Sequence, residues 1–125
     1  MDKLKLMVVD DSNVIRNKIS RAVTSNRFEW VTSANSGVDA LAQFRLHHPD
    51  VVTMDLTMPQ MDGIDCIQKL IHLNPKLLIL VVSALSDKAT GIRALEKGAG
   101  GFLLKPFSES ELNHALLELT DFLYV

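Results

Sequence analysis

A three-layer α/β sandwich on a parallel five-stranded sheet is the fold this sequence predicts. Three observations carry the prediction. Five short apolar runs alternate with segments of helical periodicity, the pattern of a sheet covered by helices on both faces. The runs 51–54 and 77–82 lack polar alternation, as strands buried on both faces do. The 125 residues suit one hydrophobic core, so a single domain over 1–125 is expected.

The elements follow in order. The first strand is the run Leu4–Val9. Ile15, Ile19, Ala22 and Val23 then fall on one face of a helix. The second strand is Trp30–Ala34, and Ser36 is placed to cap the helix after it. The third strand is Val51–Met54, inside the stretch VVTMDLTMP, and Asp62 is placed to cap the third helix. The fourth strand is Leu77–Val82. Ser86 is placed to start the fourth helix and Gly98 to end it. The fifth strand is Phe102–Leu104. Ser108 and Glu111 then show capping-box spacing ahead of one long stripe: Leu112, Ala115, Leu116, Leu119, Phe122 and Leu123.

Composition narrows the function classes. Hydrophobic residues make up 47% and charged residues 22%, a globular mix. The longest apolar run, Leu77–Val82, is far below the roughly 20 residues of a membrane helix, so no membrane insertion is expected. Asp10 and Asp11 interrupt the N-terminal stretch before a signal-peptide core could form. The single cysteine, Cys66, leaves no internal disulfide and suits a reducing compartment. A cytoplasmic protein is the expectation. Net charge is −2 and no basic block stands out, which gives no electrostatic case for nucleic acid as a partner.

The polar residues that matter follow the strands. Asp10 and Asp11 follow the first run, Asp55 the third, Ser83 the fourth and Lys105 the fifth. In a parallel sheet these positions converge at the carboxyl edge, where open α/β sheets bind ligands. Three carboxylates so close repel one another. A hard divalent cation such as Mg²⁺, bound by carboxylates, waters and phosphate oxygens, would offset that. Lys105 adds a positive charge and Ser83 a hydroxyl. Together these groups could cradle a phosphoryl group, with one carboxylate as nucleophile. Asp55 is the best placed of the three. Taken singly, the bland readings hold: Asp10 and Asp11 as helix-capping acids, Ser83 as a loop hydroxyl, Lys105 as a solvated charge, Phe102 as a core aromatic. Convergence at one edge is what favours a site.

Asp10-Asp11, DLTMPQMDG around Asp55, Ser83-Ala84 and Lys105-Pro106-Phe107 together resemble the receiver domains of bacterial two-component response regulators, in particular the single-domain chemotaxis branch. The likeness covers essentially the whole chain. It implies a flavodoxin-like fold with strand order 2-1-3-4-5. It implies that Asp55 accepts a phosphoryl group from a histidine kinase of the CheA type. Mg²⁺ would be held by Asp10, Asp11, Asp55 and the main-chain carbonyl of Thr57. Ser83 and Phe102 would be the switch residues, and Lys105 would pair with the phosphoryl group. The Lys105-Pro106 bond would be cis. Asp87, Lys88, Phe102 and the last helix would form the partner surface, toward a flagellar switch protein of the FliM type or another output protein. A monomer that catalyses only its own phosphorylation and dephosphorylation is expected.

Two departures from the family pattern stand out. Phe102 has no phenolic hydroxyl to offer a partner. Thr57 and Leu85 border the path of attacking water in such domains, and Leu85 cannot orient a water by hydrogen bonding. Self-dephosphorylation is therefore expected to be unexceptional, with room for an auxiliary phosphatase. Other readings stay open: a phosphorelay carrier, or a receiver cut from a larger regulator. An aspartate-nucleophile phosphatase of the haloacid dehalogenase type fits less well, because its second aspartate is Thr57 here. A flavin carrier fits less well too, because Asp10-Asp11-Ser12 would repel a phosphate unless a cation intervenes. The four histidines, His47, His48, His72 and His114, show no metal-ligand pattern and are given no role.

Overall fold

The computed structural model describes residues 2–58, 60–85 and 87–124. Strands and helices alternate: β1 (Leu4–Val9), α1 (Asn13–Ala22), β2 (Phe28–Ala34), α2 (Gly37–His47), β3 (Val51–Met54), α3 (Gly63–Leu73), β4 (Leu78–Ser83), α4 (Lys88–Glu96), β5 (Gly101–Leu104) and α5 (Glu109–Thr120), followed by a 3₁₀ turn at Asp121–Tyr124. All strand pairs are parallel, in the order β2-β1-β3-β4-β5. The layered fold and the strand order are as expected, and β3 is the central strand.

Side-chain alternation divides the core in two. Met7, Val9, Val52, Met54, Ile79 and Val81 face one way and pack under α2, α3 and α4. Leu6, Val8, Val51, Leu80 and Val82 face the other way and pack under α1 and α5, through Ile19, Leu112 and Leu116. All four residues of β3 are buried, which is why that run carries no polar alternation. By the same alternation Thr53 sits with Val51 on the α1–α5 side. Among the described residues its hydroxyl is buried without a hydrogen-bond partner. Thr53→Val keeps the shape and removes the orphaned group. It is expected to stabilise the protein by about 1–2 kcal/mol. A urea midpoint at or below that of the wild type would contradict this.

The caps are local and explicit. Ser12, Ser36, Asp62, Asp87 and Ser108 each accept a backbone N–H from the first turn of their helix. The capping box between Ser108 and Glu111 is complete in both directions. The cap of α4 corrects the expectation: it is Asp87, whose carboxylate takes the N–H of Thr90 at 3.0 Å, whereas Ser86 lies outside the described residues. Gly98 stands just past the Lys97 C-cap with φ of +121°. A side chain there would be strained, and its Cβ would lie 2.7 Å from Ile71 Cγ1.

The bounds of β5, β4 and β2 also differ from those expected, β5 by starting one residue early at Gly101. β4 is shifted by one residue and takes in Ser83, because Ser83 pairs in register with Leu104 of β5. β2 begins two residues early, because Phe28 is buried in the α1–α5 core. It also carries a bulge at Val31: Leu6 pairs with Trp30 and Met7 with Thr32. The bulge turns Trp30 and Ser33 to the same face, where Trp30 Nε1 donates to Ser33 Oγ at 3.0 Å.

The stripe predicted for the last helix also runs too far. α5 stops at Thr120, and Phe122 is 62% exposed in the 3₁₀ turn. Arg27, from the loop before β2, explains the stop. Its Nη1 donates to the Leu117 carbonyl, Thr120 Oγ1 and Asp121 Oδ1, and its guanidinium lies over the Tyr124 ring. A cation from elsewhere in the chain thus serves the carbonyl end of α5, whose own last turn has no basic residue.

Candidate functional site

The carboxyl edge of the sheet gathers the acidic residues as expected. Asp10 N–H donates to the Ala34 carbonyl and Asp55 N–H to the Val9 carbonyl, so β2, β1 and β3 deliver them in succession. Carboxylate oxygens of Asp10, Asp11 and Asp55 all lie within 4.8 Å of one another. Asp10 and Asp55 are buried, while Asp11 is exposed at the rim.

Lys105 enters from the end of β5, where its N–H donates to the Ser83 carbonyl at 2.8 Å. Its Nζ donates to Asp10 Oδ2 at 2.7 Å and stands 3.8 Å from Asp55 Oδ1. The bond between Lys105 and Pro106 is cis. Asp55 Oδ1 also accepts the Thr57 N–H at 3.2 Å. Burial still dominates its electrostatics. The Asp55 carboxyl is pushed up from 3.8 to about 6, first by desolvation and further by the negative charges of Asp10 and Asp11, against the pull of the Thr57 N–H and Lys105.

This donor set fits a hard divalent cation. It offers only oxygen ligands, two of the three carboxylates are buried, and one ammonium does not balance three negative charges. Asp10, Asp11 and Asp55 would supply side-chain ligands.

The remaining expected residues fall into two places. Ser83, fully buried, uses its hydroxyl to accept the Leu85 N–H at 3.1 Å, next to Lys105 in the sheet. Thr57 is exposed at the start of the β3–α3 loop. Phe102, in contrast, is half-buried against the α2–α4 side of the core. With Asp87, Lys88, Gly91, Ile92 and Leu95 it borders a hollow of about 270 Å³. Asp87 is engaged there as the α4 cap, and the Thr90 hydroxyl and N–H hold its carboxyl below the usual range.

Three residues that support the site carried no usable signal. Lys18 Nζ donates to the Phe107 carbonyl at 2.9 Å and lies 4.4 Å from the centre of the Phe107 ring, tying α1 to the loop after Lys105. That pairing spans 89 residues. Arg16 Nη1 donates to the Asp10 carbonyl at 2.7 Å. Gly63 packs on the backbone of Asp55 and Leu56, and its N–H donates to the Leu56 carbonyl at 3.0 Å. Asp62 in DLTMPQMDG marked a helix cap, not that contact.

Comparison with known proteins finds related chains. A family model described as response regulator receiver domain matches residues 6–117. The chemotaxis protein CheY of Thermotoga maritima is 36% identical over 112 residues, covering 90% of this chain and 93% of that protein. The signal receiver domain of the response regulator NarL of Mycobacterium tuberculosis superposes with a TM-score of 0.88 at 32% identity, covering 97% of this chain and 98% of that one. The CheX–CheY–BeF₃–Mg²⁺ complex of Borrelia burgdorferi contains a chain similar at 28% identity with a TM-score of 0.85, covering 98% of this chain and 90% of that one.

Proposed function

Because the chain belongs to the response regulator receiver domain family, we propose that it accepts a phosphoryl group on Asp55 from a histidine kinase and signals by binding a partner protein. In the transfer an Asp55 carboxylate oxygen bonds to phosphorus as the bond from phosphorus to the donor imidazole nitrogen breaks. The electron pair leaves with the imidazole. Bound at Asp10, Asp11, Asp55 and the Thr57 carbonyl, Mg²⁺ would supply positive charge that offsets the carboxylates and the phosphoryl oxygens. Lys105 binds the phosphoryl group from the other side, and the Ser83 hydroxyl turns from the Leu85 N–H to it.

The single observation that carries this reading is the meeting of Asp10, Asp11 and Asp55 with the Lys105 ammonium at one sheet edge. Signalling then works by population shift. Inward movement of Ser83 frees space for Phe102, and the surface around Asp87, Lys88 and Phe102 changes shape. Reversing a two-state preference needs up to about 5.5 kcal/mol. Three charge-assisted contacts to the phosphoryl group, at about 1.5–3 kcal/mol each, supply about 4.5–9 kcal/mol together, a range that spans this requirement.

The output we propose is chemotaxis signalling in the cytoplasm: a CheA-type kinase as donor and a flagellar switch protein as target. Support comes from the similarity to CheY of Thermotoga maritima over nearly the full length of that protein. An auxiliary phosphatase fits the apolar Leu85, which is 40% exposed. Among the described residues no helix is long and apolar enough to cross a membrane.

Beryllofluoride-activated and untreated protein should be compared for binding to flagellar switch protein. At least tenfold tighter binding after activation is expected. Phosphoryl acceptance without any gain in binding would sink the chemotaxis output and leave the receiver chemistry standing.

A further inference from the structure

Asp10 is held at every polar atom. Its N–H donates to the Ala34 carbonyl, its Oδ1 accepts the Ser12 N–H at 2.9 Å, its Oδ2 accepts Lys105 Nζ, and its carbonyl accepts Arg16 Nη1 at 2.7 Å. Arg16 has a second arm: Nη2 donates to Asn13 Oδ1 at 3.3 Å. The guanidinium therefore spans from Asp10 to Asn13, across Asp11 and Ser12. Within that span Ser12 Oγ accepts the Ile15 N–H and the Ser12 carbonyl accepts the Arg16 N–H. The bonds that shape this loop fall on the neighbours of Asp11, which is itself exposed.

We propose that Arg16 is a positioning residue for the divalent-cation site: its fork brackets the β1–α1 loop and so directs the Asp11 carboxylate toward Asp10 and Asp55. The inference rests on the cation-binding reading above and adds the residue that pre-forms the site. Arg16 is half-buried and spends its shortest bond on a main-chain carbonyl, which a solvated helix cation has no reason to do. The planar fork reaches two acceptors at fixed separation, and a lysine ammonium is a point charge that does not.

Two roles for Arg16 predict opposite signs. As a charge beside the acidic cluster it would oppose a second cation, and its removal would tighten Mg²⁺ binding. As a bracket it orders a ligand, and its removal would weaken binding, by the about 10–100-fold typical of residues that orient metal ligands.

Calorimetric titration with Mg²⁺, alongside urea denaturation without metal, separates them. Arg16→Met and Arg16→Lys are both expected to bind Mg²⁺ at least about tenfold more weakly than the wild type. Unchanged or tighter binding in Arg16→Met overturns the proposal, whatever the change in metal-free stability. Wild-type affinity in Arg16→Lys overturns it too, because charge alone would then suffice. If Arg16→Met does not fold, Asn13→Ala releases one end of the bracket at an exposed residue. That variant should lose about threefold or more, and unchanged affinity would again overturn the proposal. A wild-type protein that binds no Mg²⁺ defeats the cation-binding reading itself. Binding that is intact in the wild type and insensitive to these variants defeats this inference alone.

Discussion

Asp55→Asn is expected to abolish phosphoryl acceptance from acetyl phosphate and at the same time to stabilise the protein. An amide of nearly the same shape has no carboxylate oxygen to bond phosphorus, so labelling should fall to background. The stability gain comes from burial. Asp55 is only 4% exposed, and its carboxyl is raised from 3.8 to about 6, chiefly by desolvation. Between about pH 4 and pH 6 the folded state keeps a proton that the unfolded state has lost. Stability therefore falls as pH rises through that window. The cost is complete above pH 6, at about 3 kcal/mol, and absent below pH 4.

Asparagine forgoes the attraction of Lys105 as well as the charge, so a net gain of about 1–3 kcal/mol is expected at pH 7.5 without divalent cation. The gain should vanish toward pH 4. Urea denaturation of both proteins across pH 4–8 checks the slope, and phosphoryl labelling checks the acceptor. A variant that still takes label places the acceptor elsewhere. Equal pH slopes in the two proteins would remove the burial argument.

Gly63→Ala should be among the most damaging single substitutions in the chain. A Cβ at Gly63 would lie 2.3 Å from the Asp55 carbonyl oxygen and 2.5 Å from Leu56 Cα. Both are backbone atoms and cannot rotate away. The β3–α3 loop would have to move, and Asp55 with it. A loss of about 3 kcal/mol or more is expected, together with weaker Mg²⁺ binding. Gly91→Ala in α4 is the matched control. Its Cβ would meet only the Phe102 ring, at 3.9 Å. Removing a glycine from a helix interior there should instead add about 0.5–1 kcal/mol. Equal urea midpoints for Gly63→Ala and the wild type would show that the loop yields.

What could be read before the structure was whatever a residue declares through its own neighbours. Asp55 follows a run with no polar alternation, and that alone marks a central strand ending in a carboxylate. Ser108 and Glu111 state a capping box in four residues. Asp10, Asp11, Asp55 and Lys105 needed only the knowledge that parallel strands end at one edge. Interactions over long sequence separation were out of reach. Arg27 ends α5 from about 90 residues away, through Leu117, Thr120 and Asp121, so the stripe through Phe122 and Leu123 looked continuous. Lys18 and Phe107 are hidden for the same reason. Asp87 rather than Ser86 as the α4 cap is a different kind of miss. Either residue type caps a helix well, and one position decides it.

The bulge at Val31 reaches beyond the strand that contains it. β2 forms an outer margin of the sheet, where a long regular strand would present a row of unsatisfied donors and acceptors to any extended peptide nearby. The extra residue breaks the spacing of that row halfway along, and Trp30 bonds back to Ser33 over the break. The margin is thereby a poor template for adding a sixth strand. On that side the bulge protects the chain from adding a strand of a second copy to its own sheet.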